Sequence, residues 1–240
     1  MAESDRIVFA LDVGDAASAE KWVHLLKGSV GWFKVGLELF TAVGPDVVKL
    51  VRDQGIKCFL DLKLHDIPNT VAGAVRSISR IGADMMTVHL SGGRAMIEAA
   101  LKAAGEESRV LGNERPRIVG VSVLTSLSGD DLEDVGIHRT PSEQVAHLAR
   151  FAASCGTDGM VCSAEDLARI RPEVPTSLML ITPGIRPDWS GAGDQKRIAT
   201  PGAAIRAGAD LLVIGRPISE APDPLEAVGR IVAEMKAALQ

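Results

Sequence analysis

With 240 residues and 46% apolar side chains, the chain makes one large domain or two small ones and can fill a substantial core. A formal net charge of −5 weighs against nonspecific nucleic-acid binding and attachment to an anionic membrane, so any anionic ligand must be held by local basic groups. Three scattered cysteines without CxxC spacing, a polar acidic start and no apolar run of spanning length point away from a disulfide framework, a zinc site, a signal peptide and a membrane anchor, so a soluble cytoplasmic protein with reduced thiols is expected.

The run Ile7-Val8-Phe9-Ala10-Leu11 reads as a buried strand ending at Asp12. Asp15 can cap the helix after it, whose apolar face is Ala19, Trp22, Val23 and Leu26. A second strand is expected over residues 31–39, carrying Lys34 inside an apolar run, and Pro45 opens the next helix. Cys58, Phe59, Leu60, Leu62 and Leu64 make a third strand. Its extended run ends at Ile67-Pro68, because the residue before proline avoids the α region. Asn69 can then cap a helix over 70–81. A fourth strand over 85–90 passes through Ser91-Gly92-Gly93, a tight turn, into an Ala-rich helix. The fifth, over 117–124, runs into Thr125-Ser126. Thr140-Pro141-Ser142-Glu143 has the capping-box pattern and opens a helix.

Strands six to eight are expected at 159–163, 178–181 and 211–214, with a short helix near 165–170. Residues 187–195 are glycine-rich and without period, hence a loop. Thr200-Pro201 caps the helix that follows, and an amphipathic helix from Pro224 closes the chain. Eight strand–helix units with no break in composition indicate an α/β fold, one (β/α)8 TIM barrel over 1–240. Chemistry in such barrels sits at the C-terminal ends of the strands, where Asp12, Lys63, Thr125, Arg186 and Arg216 all fall.

The densest chemistry lies in the third strand. Alternation sends Asp61, Lys63 and His65 to one face and the three leucines to the other. Side chains at i and i+2 are about 7 Å apart at their bases, so the polar ends of Asp61 and Lys63 can meet. A structural ion pair is the alternative to catalysis, but opposite charges at the end of a very apolar strand favour a catalytic role. Asp66 has the other parity, lies past the strand, and should point elsewhere, toward a neighbouring chain. By alternation Lys34 shares a face with Trp32, Gly36 and Glu38. With Asp61, Lys63 and a further Asp it can form the chain of alternating charges that a desolvated site requires.

Gly215-Arg216 after strand eight matches the usual phosphate site of these barrels, and Arg186 after strand seven adds a charge-assisted contact. The loop between them suits a lid. His89 reads as a hydrogen-bonded residue at the barrel mouth, and His24, His138 and His147 as surface groups.

Assembled, these residues resemble the orotidine 5′-phosphate decarboxylase family in its bacterial form, over essentially the whole chain. The most specific part is Asp61-Leu62-Lys63-Leu64-His65-Asp66-Ile67-Pro68-Asn69-Thr70, which looks like the family's DxKxxDIPNT signature. Leu11-Asp12, Phe33-Lys34-Val35-Gly36, Leu124-Thr125-Ser126, Pro183-Gly184-Ile185-Arg186, Gln195 and Gly215-Arg216-Pro217 also fit. The resemblance implies decarboxylation of orotidine 5′-phosphate to uridine 5′-phosphate in pyrimidine biosynthesis, without metal or organic cofactor. It also implies a homodimer with active sites at the interface.

The resemblance likewise implies the residue roles. Lys63 delivers a proton to C6 of the pyrimidine as carbon dioxide leaves, and Asp61 lies against the departing carboxylate. Lys34 and the partner's Asp66 hold the charged array. Asp12 and Lys34 contact the ribose, and the partner's Ile67 and the partner's Thr70 line the site. Thr125 or Ser126 reads the pyrimidine edge beside Pro183, Gln195 bridges base and phosphate, and Arg186 with Gly215 and Arg216 binds phosphate. The nearest rivals are magnesium-dependent sugar-phosphate decarboxylases and hexulose-phosphate synthases of the same barrel. These relatives place a metal-binding Glu where this chain has Lys34, leaving Glu38 as a substitute carboxylate. A nucleotide-binding protein without turnover is the rival from another class.

Overall fold

Short apolar strands buried on both faces sort alternate side chains into an inner and an outer layer, and the strands here close on themselves. The computed structural model describes residues 2–190 and 199–239. Eight parallel strands form a closed barrel in sequence order. They are β1 (Ile7–Ala10), β2 (Trp32–Val35), β3 (Lys57–Leu64), β4 (Met85–His89), β5 (Arg117–Val121), β6 (Gly159–Val161), β7 (Met179–Thr182) and β8 (Leu211–Ile214). The described helices are α1 (Ala16–Leu26), α2 (Leu37–Val43), α3 (Asp46–Arg52), α4 (Pro68–Ile81), α5 (Arg94–Leu111), α6 (Gly129–Asp134), α7 (Pro141–Cys155), α8 (Leu167–Ile170), α9 (Pro201–Arg206), α10 (Arg216–Ser219) and α11 (Pro224–Ala237). None is long and apolar enough to cross a membrane.

One strand parity fills the barrel with Val8, Ala10, Trp32, Phe59, Met85, Val119, Ile181, Leu211 and Val213. The other parity, including Phe9, Phe33, Leu60, Met86, Ile118 and Leu180, packs outward beneath the helices. Burial of both layers is the main favourable term for such a parallel sheet.

Several predicted ends are observed. Asp15 accepts the Ser18 N–H at 2.8 Å and caps α1. At α7, Thr140 and Glu143 exchange the reciprocal bonds of a capping box. Other expectations fail. The strand expected over 31–39 stops at Val35, and Gly36 caps α2, so Glu38 lies in a helical first turn and not on the Lys34 face. Leu37, Leu39 and Phe40 satisfy either period over so short a run, which is where periodicity cannot discriminate. Nor does Asn69 cap α4: Ile67 is the N-cap, without a side-chain bond, and the helix begins at Pro68. Proline's fixed φ and missing N–H suit that first position. The predicted strands five and six also run two or three residues too far, because the chain leaves the sheet at the barrel mouth; α6 was not expected at all.

The N-terminal pole carries a repeat that binds strands in pairs. Gly82-Ala83-Asp84, Gly156-Thr157-Asp158 and Gly208-Ala209-Asp210 precede β4, β6 and β8. In each, the Asp carboxylate accepts a backbone N–H from the preceding strand: Cys58 at 2.8 Å, Ile118 at 2.7 Å and Leu180 at 2.8 Å. Gly82 and Gly156 end α4 and α7 in the left-handed conformation that lets the chain turn into these clamps.

Candidate active site

The inner parity that is apolar through the barrel becomes charged at its C-terminal mouth. Asp12 follows Ala10 by two residues, Lys34 follows Trp32, Asp61 follows Phe59, and Thr87 follows Met85. Lys34 Nζ lies 3.2 Å from Asp12 Oδ1 and 3.8 Å from Asp61 Oδ2. Lys63 Nζ lies 3.0 Å from the same Asp61 oxygen. Within one chain the alternating charges run Asp12–Lys34–Asp61–Lys63, with Asp12 supplying the further carboxylate that the sequence left open. Lys34 and Asp61 are only 13% and 14% exposed, a setting where each charge needs the other. The array leaves little room: a Cβ at Gly36 would lie 3.1 Å from Lys34 Nζ.

β3 reaches this mouth through a distortion. Its pairing with β4 shifts register between Leu60 and Leu64, and Lys63 has φ 51°, the one positive value at a non-glycine among the described residues. The Lys63 N–H donates to Thr87 Oγ1 at 2.8 Å, and the Thr87 hydroxyl donates to Asp61 Oδ1 at 3.0 Å. Sequence reading placed Thr87 in the fourth strand and missed it as a site residue. The signal was present, since a lone hydroxyl interrupts an otherwise apolar run, Met85-Met86-Thr87-Val88.

Two cavities meet at Lys34. One, of about 200 Å³, is lined by Asp12, Lys34, Pro183, Arg186, Gly215 and Arg216, among others. The other, also about 200 Å³, has Asp61, Lys63 and Thr125 facing an apolar wall of Phe59, Val121, Val161 and Val213. Lys34, Pro183 and Val213 border both. Such a space accepts an elongated ligand, with an anionic group between the two arginines and a flat ring against the apolar wall. Thr125 lines the second cavity, whereas Ser126 is exposed outside its lining.

Asp66, Ile67 and Thr70 stand apart. All three are exposed where β3 passes into α4, and the Asp66 carboxylate accepts the Ile67 N–H at 2.6 Å. Within one chain they do not line either cavity. Gln195, and part of the loop expected as a lid, lie outside the described residues. His89 sits at the mouth as expected, with Ser91 Oγ 3.0 Å from its Nδ1 and the His65 ring stacked at 5.2 Å. Burial, reinforced by His65 and the Lys63 cation, holds its proton affinity below the usual imidazole value. His24, His138 and His147 are exposed.

A model of the orotidine 5′-phosphate decarboxylase / HUMPS family matches residues 5–231. The chain is 49% identical over 237 residues to the orotidine 5′-phosphate decarboxylase of Moorella thermoacetica, covering 98% of this chain and 94% of that one. With the enzyme of the same name from Paramagnetospirillum magneticum it shares 50% identity over 229 residues, 95% of this chain and 97% of the relative. Among solved structures it is similar to orotidine 5′-phosphate decarboxylase from Lactobacillus acidophilus, with a TM-score of 0.85, 35% identity, and coverage of 95% and 98% of the two chains.

Proposed function

The chain belongs to the orotidine 5′-phosphate decarboxylase / HUMPS family, and from that premise we propose that it converts orotidine 5′-phosphate to uridine 5′-phosphate and carbon dioxide, a step of pyrimidine biosynthesis. The observation that carries the reading is the Asp12–Lys34–Asp61–Lys63 array, set in a cavity whose far end is lined by Arg186 and Arg216.

The chemistry follows from that placement. Breaking the bond between C6 and the carboxylate leaves an electron pair on an sp² carbon that has no evident electron sink. Lys63 offers an ammonium where that negative charge develops, then gives its proton to C6; it regains one from solvent after turnover. Asp61, already bound to Lys63, Lys34 and Thr87, lies against the departing carboxylate. Lys34 fixes Asp61 on one side and Asp12 on the other, and Asp12 and Lys34 contact the ribose. Arg186, Gly215 and Arg216 hold the phosphate, with Gln195 between base and phosphate. Thr125 reads the pyrimidine edge beside Pro183. Binding energy from the phosphate is then available to organise the reacting end.

Asp66, Ile67 and Thr70 suit service to a second copy, since they are exposed beside the mouth and outside their own cavities. The active form is accordingly a homodimer with shared sites, in the cytoplasm. The magnesium-dependent reading is disfavoured by charge. The Lys34 ammonium lies between Asp12 and Asp61, where it would repel a divalent cation, and Glu38 stands in the first turn of α2.

The test is the ultraviolet absorbance of orotidine 5′-phosphate with purified protein, before and after exhaustive EDTA treatment. Turnover should be equal in both. Absence of turnover would leave a binding protein, and activity lost to EDTA and restored by Mg²⁺ would move the chain to the metal-dependent branch.

A further inference from the structure

We propose that Thr87 is a positioning residue, which sets the Asp61–Lys63 pair in its reactive geometry by bonding both at once. Its side chain is fully buried and comes from β4, whereas the pair lies on β3. The single hydroxyl accepts the Lys63 N–H at 2.8 Å and donates to Asp61 Oδ1 at 3.0 Å. A hydroxyl is the smallest group able to do both, having one proton to give and lone pairs to receive.

Both bonds address a weakness of the local backbone. Where the register of β3 shifts against β4, the Lys63 N–H takes a side-chain acceptor in place of a ladder carbonyl. A buried N–H without an acceptor is costly, so the left-handed turn at Lys63 depends on the Thr87 oxygen. The Asp61 carboxylate has the complementary problem. Its Oδ2 faces Lys63 at 3.0 Å and Lys34 at 3.8 Å, while Oδ1 takes the Thr87 hydroxyl. With both oxygens occupied, the carboxylate cannot rotate without breaking a bond. The same side chain thus holds the backbone that aims the Lys63 ammonium and the plane of the carboxylate beside it.

The inference relies on the functional reading for its kinetic consequence, but not for its structural one, so two measurements are paired. The first compares kcat and KM for orotidine 5′-phosphate, and the affinity for uridine 5′-phosphate, in wild type, Thr87→Val and Thr87→Ser. Valine keeps the shape and loses both bonds; serine keeps both bonds. Thr87→Val should lower kcat by about tenfold to a hundredfold, the usual penalty for misplacing reacting groups by a fraction of an ångström to one ångström. KM and product affinity should stay within about threefold, because the phosphate and base contacts are untouched. Thr87→Ser should keep kcat within about threefold of wild type. Equal losses in Val and Ser, or an unchanged kcat in Val, would overturn the proposal.

The second measurement needs no substrate: amide hydrogen exchange at Lys63. Exchange should quicken at least about tenfold in Thr87→Val and stay protected in Thr87→Ser. If Thr87→Val fails to fold, Thr87→Ala is used in its place under the same criteria. A wild type without decarboxylase activity would defeat the functional reading alone. Lys63 exchange identical in all variants would defeat the role of Thr87 whatever the reaction.

Discussion

At the scale of single residues, the site depends on a few charges held close together, with Lys34 and Asp61 at the centre largely shielded from bulk water. Lys63 is bound to Asp61, which is itself bound to Lys34 and Thr87, so no member can be removed without exposing a mismatch in the rest. On the proposed mechanism, the ammonium of Lys63 acts mainly as charge develops at C6 and contributes little to holding the ground-state phosphate and ribose. Lys63→Ala should accordingly reduce turnover to below about a hundredth of wild type. It should nevertheless bind uridine 5′-phosphate, measured by titration on the same preparation. A variant that keeps more activity than this would remove Lys63 from the role of proton donor.

Among elements, β3 shows how one strand can be both structure and machinery. Its first half is regular: Phe59 pairs with Met85 and Leu60 with Met86. The break comes only after Leu60, where the register shifts and the strand presents Asp61 and Lys63 before pairing resumes between Leu64 and Val88. Regularity in the first half is enforced at the opposite pole, where Asp84 accepts the buried Cys58 N–H at 2.8 Å. Asp84→Ala leaves that donor unsatisfied and should destabilise the protein by about 1–3 kcal/mol in urea unfolding. The kcat should be unchanged, since the clamp lies at the far end of the barrel from the site. A loss of activity without a loss of stability would show that the two poles are coupled in some other way.

For the whole molecule, the question is whether one chain holds a complete site. The charged array and both cavities are formed by one chain, while Asp66, Ile67 and Thr70 face solvent; Ile67 is 66% exposed, a large apolar side chain left uncovered. In the proposed two-fold dimer each chain would lend these residues to the other, so Asp66→Ala and Lys63→Ala homodimers should each be nearly inactive. Subunit exchange between them creates hybrids with one intact site and one doubly altered site. Random pairing makes about half of the dimers hybrid, so about a quarter of all sites should recover. Activity is followed against mixing ratio once native mass spectrometry shows that hybrids have formed. Hybrids without recovered activity would return Asp66 to its own chain.

What the sequence determined by itself was whatever local chemistry dictates. Strand–helix alternation specified the barrel, because apolar periodicity and punctuation at Asp15, Thr140 and Pro68 are local signals. The parity of Asp61 and Lys63 placed them on one face, and they do meet at 3.0 Å. Tertiary structure decided the rest. Residues 37–40 became helix because the barrel needed only a four-residue β2 before the chain turned outward, and no window of so few residues distinguishes the two periods. The left-handed Lys63 and the bonds to Thr87 depend on β4, which is 24 residues away in the chain as counted from Lys63 to Thr87. Charge, spacing and period are written along the chain; a hydroxyl's two partners exist only after strands from different parts of it have been brought side by side.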